Sequence, residues 1–237
     1  RRFRVRNEET LLAAERARLV EGASFSLGGV RELLARDASF RRYMYAMSLF
    51  GAGNLTLIPV LVVCFDEVLH LPAFWQIAVT TAVPVLVIPF AIQPWASYLD
   101  RHHVVAFRSV HGWVLVTASA LLAAAILLRL PMLVWPGALL MGVSLAAGSL
   151  GWSLGHNDFA PRGEETRYMA LHVTLTGLRG LLAPPAVVAA YHGLEYLRAG
   201  LGRWALLLPV ALIVAGAREF TAMDRQRTMT GQLQEKR

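Results

Sequence analysis

Lysine is almost missing from these 237 residues: Lys236 is the only one, and it lies outside any glycine loop, which excludes Walker-type nucleotide binding. Cysteine is equally scarce. Cys64 stands alone and closes no intrachain disulfide, and no Cys/His cluster has metal-site spacing, His102 and His103 being merely adjacent, so neither a metal nor another cofactor is expected. Charge is thin as well, 16% against 56% hydrophobic residues. No acid falls deep in an apolar run, which leaves edge residues such as Asp66 or Asp158, or groups outside the chain, for any proton-coupling carboxylate. The start, Arg1-Arg2-Phe3-Arg4, has no initiator methionine, no apolar h-region and no small-residue cleavage site, so no signal peptide is expected and the chain reads as beginning inside a longer one.

What is present is a series of apolar runs near the 20 residues that cross a bilayer as helix, and their composition predicts an all-α polytopic membrane protein. Residues 1–42 hold ten arginines and six acids, with Leu11, Leu12, Leu19, Val30, Leu33 and Leu34 spaced as on short amphipathic helices. They read as a charged segment along a cytoplasmic membrane surface or as a solvated linker. A six-helix bundle is expected over 43–220 and a cytoplasmic tail over 221–237. The spans run from about Tyr43 to Phe65, Phe74 to Tyr98, Val104 to Leu128, Met132 to Leu154 and Tyr168 to His192, with a sixth uninterrupted only from Trp204 to Ala217. Fourteen residues reach only about 21 Å, so flanking side chains must snorkel or the sixth must begin earlier, near Tyr196. Pro84, Pro89 and Pro94 predict a kinked second span, Pro184-Pro185 a break in the fifth, and the glycines from Gly137 to Gly155 close packing of the fourth. Six tryptophans fall mostly near span ends, as interfacial anchors do.

Six spans put nineteen basic residues on the side of the termini, the 100–108 turn and the 155–167 loop, against Arg129, Arg198 and Arg203 on the other. Such a bias places both termini in the cytoplasm, and +7 net charge is then topological rather than a nucleic-acid footprint.

The sharpest local motif is Pro94-Trp-Ala-Ser-Tyr-Leu-Asp-Arg-His-His103, where one apolar run must turn back into the next. Asp100-Arg101, with Ala96 and His103 in the glycine positions and Arg108 as a later basic charge, resembles the signature loop between the second and third spans of a major facilitator superfamily half. The resemblance covers nearly the whole chain and implies the C-terminal half of such a transporter: two three-helix repeats, preceded by the central cytoplasmic loop. It implies alternating access for a small-molecule solute in a bacterial inner membrane, with lipid around the bundle and the cavity completed by an N-terminal half or a second copy. Independently of that name, a carboxylate at a helix end pairs with an arginine or accepts from the amides of another helix start. Asp100, Arg101 and Arg108 are thus a candidate conformational latch.

Arg179 is the one basic residue expected deep in the bilayer, roughly 17 Å into its span, where a charge is sustained only by a cavity or a partner. Asn54, Gln93 and His172 are further candidates for a substrate path, or for interhelical hydrogen bonds. One enzyme-like string, Gly151-Trp-Ser-Leu-Gly155, fits G-x-S-x-G but sits in a helical run instead of a strand-turn-helix, and no histidine follows His192. A rhomboid-type serine protease is therefore the remote alternative, and no enzyme activity is expected. A membrane scaffold subunit is the main rival to the transporter.

Overall fold

A computed structural model of the chain describes residues 27–235. The leucines expected on amphipathic helices at 11–19 lie outside them. Among the described residues every regular element is helical: α1 (Leu27–Arg36), α2 (Ala38–Glu67), α3 (Ala73–Leu99), α4 (Val104–Leu127), α5 (Val134–Leu154), α6 (Glu165–Leu197) and α7 (Leu207–Glu235). Short 3₁₀ turns at Pro131–Leu133 and Gly202–Leu206 lead into α5 and α7. Helices α2 to α7 are all long and apolar enough to cross a membrane, as the composition requires of segments that must satisfy their backbone polar groups internally.

Local chemistry sets the boundaries. Asp37, extended in backbone, accepts from the Phe40 amide at 2.8 Å and caps α2, which separates it from α1 at a single residue. At the far end of the bundle Arg129 adopts φ +56° after α4 and Pro131 follows, so the helix cannot continue. Glu195 reaches past the end of α6 to accept from the amides of Gly200 (φ +84°) and Gly202 at 2.7 and 2.9 Å, fixing the turn into the last helix.

Two expectations about the spans are corrected. Helix α6 is continuous through Pro184-Pro185, because loss of two intrahelical bonds and a local misfit are tolerated where neighbouring turns hold the rest of the ladder. The sixth span gains its missing length from the C-terminal side, α7 running on to Glu235 through the stretch expected as a tail, whereas Tyr196 belongs to α6 and is exposed. The proline-rich α3 behaves differently: a π-helical turn at Ala78–Ala82 precedes Pro84, widening the helix where the ring would meet the carbonyl of Thr80.

Packing follows a simple order: α3 lies on α5, α5 on α4, α4 on α7, α7 on α2 and α2 on α6. Exchanging the first three spans with the last three reproduces the same order read backwards. Three spans per unit make the second unit inverted in the membrane relative to the first, so the packing has the symmetry of an inverted repeat. Glycines make these crossings close. A Cβ on Gly53 of α2 would lie 2.7 Å from the Pro209 carbonyl of α7, and one on Gly142 of α5 would lie 2.7 Å from the Pro84 carbonyl of α3. The two helices at the ends of the row are the least covered: 17% of the apolar stretch of α3 and 6% of that of α6 is buried, against 50% for α4.

A basic groove among four helices

Both chain ends of the bundle, the 100–103 turn and the 155–164 loop lie together, tied by Arg42 of α2 to Glu219 and Gln226 of α7 and by Arg36 to Glu164. Here the amide of Val104, the first residue of α4, donates to Asp158 at 2.6 Å, and His103 Nδ1 accepts from Val105 N at 3.2 Å. Burial, and then the charge of Arg227, hold the His103 imidazole below its ordinary range, so its 3.8 Å approach to Asp158 is not an ion pair at neutral pH. A carboxylate does meet a helix start, as the latch argument asks, but it is Asp158. Asp100 and Arg101 are exposed and form no side-chain hydrogen bond or ion pair with any described residue. Arg108 is not with them: it points inward and is 2% exposed.

Between α2, α4, α5 and α6 lies a groove of about 380 Å³, within the size range of small-molecule sites. Helix α2 contributes Phe50, Gly51 and Asn54; α4 contributes Arg108 and His111; α5 contributes Ser144, Ser149, Trp152 and Ser153; α6 contributes Thr176 and Arg179. Its shape follows from the packing order, since α2 and α5, the leading spans of the two repeats, are separated by α4 and α7 behind them and leave an opening in front.

Arg179 comes to this groove from α6 and lies against the bare Cα of Gly51, where an added Cβ would be 3.1 Å from its Cζ. Its Nη1 donates to the Met47 carbonyl at 2.6 Å and its Nη2 to Thr176 Oγ1 at 2.8 Å, while Nε is buried without a partner. Arg108 is placed in the same manner against Gly151, with Cζ 2.8 Å from where a Cβ would be. One hydrogen bond holds it, Nη1 to His111 Nδ1 at 3.2 Å, and both Nε and Nη2 are buried without a partner. Because a guanidinium only donates, His111 Nδ1 is the acceptor and its Nε2–H donates to Ser144 Oγ at 3.0 Å. Both guanidiniums line the one groove, so it carries two like charges. No carboxylate lines the groove, and neither arginine forms an ion pair among the described residues.

Of the residues singled out in the sequence, Arg179 and Asn54 line the groove, Asn54 half-buried and without a side-chain partner. His172 is 1% exposed behind it, edge-on to Trp152 with ring centroids 5.8 Å apart and both nitrogens unpartnered. Gln93 is exposed on α3 and is not part of the groove. Arg108 and His111 were missed as groove residues. Their position one turn inside a predicted span looked interfacial, although their i, i+3 spacing already put both on one face of the helix. Removing Arg108 from the basic side lowers that count from nineteen to eighteen, which leaves the charge bias intact. Not every tryptophan is an interfacial anchor either, since Trp152 lines the groove and Trp95 Nε1 donates to the Val143 carbonyl at 3.0 Å. Ser153 of the G-x-S-x-G string is in the middle of a helical turn of α5, a setting without the strand that a nucleophile elbow needs.

No family model, no curated protein and no solved structure matches the chain.

Proposed function

We propose that the chain is one half of a secondary transporter of the major facilitator type, moving a small solute by alternating access across a bacterial inner membrane, with both termini cytoplasmic. The observation that carries this reading is the groove: a largely apolar cleft that holds two arginines, open between the leading spans of two inverted three-helix units. A static scaffold has no need of two guanidiniums with unpartnered nitrogens inside the spans, whereas a transporter wall uses them. The opposite wall comes from an N-terminal half or from a second copy. The unpartnered Asp100-Arg101 turn then has a natural role as a latch against that other half, made when the walls meet on the cytoplasmic side and broken when they part.

Alternating access is testable without knowing the substrate. In the full-length protein with Cys64 replaced by serine, a cysteine introduced at Asn54 or Ser149 is expected to react with a membrane-impermeant maleimide from either side of the membrane. Reaction from one side alone, in the absence and presence of a panel of solutes, favours the scaffold. Labelling of a cysteine at Gly163 from the periplasmic face only would overturn the topology.

A further inference from the structure

We infer that the groove is an oxyanion site: Arg108 and Arg179 together take the carboxylate or phosphate group of an anionic solute. The inference rests on the transporter reading for the word solute, and on the geometry alone for the word anion.

Consider first what the two guanidiniums lack. Arg108 is 2% exposed and has three nitrogens, of which Nε and Nη2 have no acceptor. Arg179 adds a third unpartnered nitrogen, Nε. A buried donor without an acceptor carries a desolvation cost of roughly 1–3 kcal/mol, more when charged, and few folded chains leave several in one cavity. Two like charges in one groove add to that cost. These nitrogens have almost no accessible surface, so an anion entering the groove would supply their acceptors once the guanidiniums turn toward it, and it would offset the like charge at the same time. Among the described residues the groove contains no carboxylate to do this.

The second observation is how the arginines are seated. Each lies on a glycine, Arg179 on Gly51 and Arg108 on Gly151, and any side chain at either position would press on the guanidinium. His111 fixes the Arg108 plane through Nδ1, and the Met47 carbonyl with Thr176 fixes that of Arg179. These supports hold the planar forks in place and still leave donors unspent, which is how bidentate recognition of carboxylate or phosphate is built. The remainder of the cleft sets the class further. Phe50, Leu115 and Trp152 give it apolar walls, and Asn54, Ser144 and Ser149 give it neutral polar points, so about 380 Å³ suits a small organic anion better than a bare halide.

The test is binding, read apart from transport. Full-length protein in phosphatidylcholine nanodiscs is heated with increasing sodium phosphate or sodium succinate, at ionic strength held constant with sodium chloride. Choline chloride serves as the control for a small cation. We expect a saturable rise in Tm with at least one of the two oxyanions and none with choline. Arg108→Gln and Arg179→Gln should each weaken the apparent affinity at least about tenfold, and the double variant should lose it. Should Arg108→Gln fail to fold, Arg108→Lys keeps the charge and loses the fork, and it should bind more weakly than wild type. Stabilisation by phosphatidylglycerol but by neither soluble anion would assign the same oxyanion chemistry to a lipid headgroup. No response to phosphate, succinate or phosphatidylglycerol overturns the inference, and so does an undiminished response in the double variant. The two readings fail separately: saturable anion binding with one-sided cysteine labelling removes the transporter and keeps the anion site, whereas two-sided labelling without any anion response does the reverse.

Discussion

Helices α4 and α6 bring an arginine to the same groove from opposite situations. Helix α4 is enclosed by α5 on one flank and α7 on the other, and half of its apolar stretch is buried; α6 leans on α2 and on the Gly202–Leu206 turn and has 6% buried. Arg108 consequently lines the groove from its deep side, 2% exposed and with a single hydrogen bond, whereas Arg179, half-buried, finds two acceptors at the open edge. The contrast shows that burial and satisfaction are different properties. The interior of the bundle holds the less satisfied charge, placed by packing against Gly151 and by the one hydrogen bond to His111. The near-naked α6 also needs cover, from lipid or from the opposite wall, since its glycines Gly177, Gly180 and Gly193 have open space where a Cβ would be.

The largest expected effect lies at the open edge. If the proposed transporter reading holds, Arg179→Ala should abolish transport by the full-length protein while membrane insertion stays near normal, and Arg179→Lys, which keeps the charge without the planar fork, should restore it only in part. Wild-type transport by the alanine variant would reduce Arg179 to a structural residue and dissolve the comparison.

Stability separates the two arginines more sharply. Replacing a buried, poorly paired charge by an apolar side chain of similar length relieves its desolvation, so Arg108→Met should stabilise the unliganded protein by about 1–3 kcal/mol in thermal unfolding. Arg179→Met, at a site with two good acceptors and partial exposure, should leave stability within about 1 kcal/mol. Equal responses would mean that the two sites are not differently satisfied.

The glycines test the packing side of the contrast. At Gly53, whose added Cβ would lie 2.7 Å from both the Pro209 carbonyl and Ile213 Cγ1 of α7, alanine should wedge α2 from α7 and cost about 1–3 kcal/mol. At Gly180 of α6 nothing lies within 4 Å, and alanine should change stability by less than about 0.5 kcal/mol. A large loss at Gly180 in the full-length protein, absent from the isolated unit, would map α6 onto the opposite wall.

Smallest is the effect expected at the end of the bundle that holds the 100–103 turn. Asp158→Ala removes the acceptor for the first amide of α4 and should cost about 1 kcal/mol, whereas Asp100→Ala should leave stability unchanged and act on transport alone. A stability loss at Asp100 would place its partner within this chain instead of in the other half.

The number of spans, the all-helical class and the charge bias were legible in the residues, because a bilayer imposes one-dimensional rules: long apolar runs, internal backbone bonding and arginines sorted by side. Arg179 was legible for the same reason, being a charge in the middle of a run. The run lengths themselves were less so. Proline in α6 and the short sixth run misled, since the helical ladder tolerates a local misfit and α7 draws its length from polar residues. Only the tertiary structure decided where Arg108 goes. One turn inside a span, an arginine can snorkel to the interface or fold inward, and the choice depends on whether neighbours leave room. Gly151 on α5 leaves it, and His111 one turn away on α4 supplies the acceptor, so the side chain turns in. Gln93 went the other way, onto an exposed face of α3, because the rotation of that helix is set by its packing on α5 and no property of the glutamine fixes it. Which residues share a groove is a fact about six helices at once, and the pairing of spans α2 with α7 and α3 with α5 is carried by close approaches between glycines and backbone carbonyls far apart in the chain.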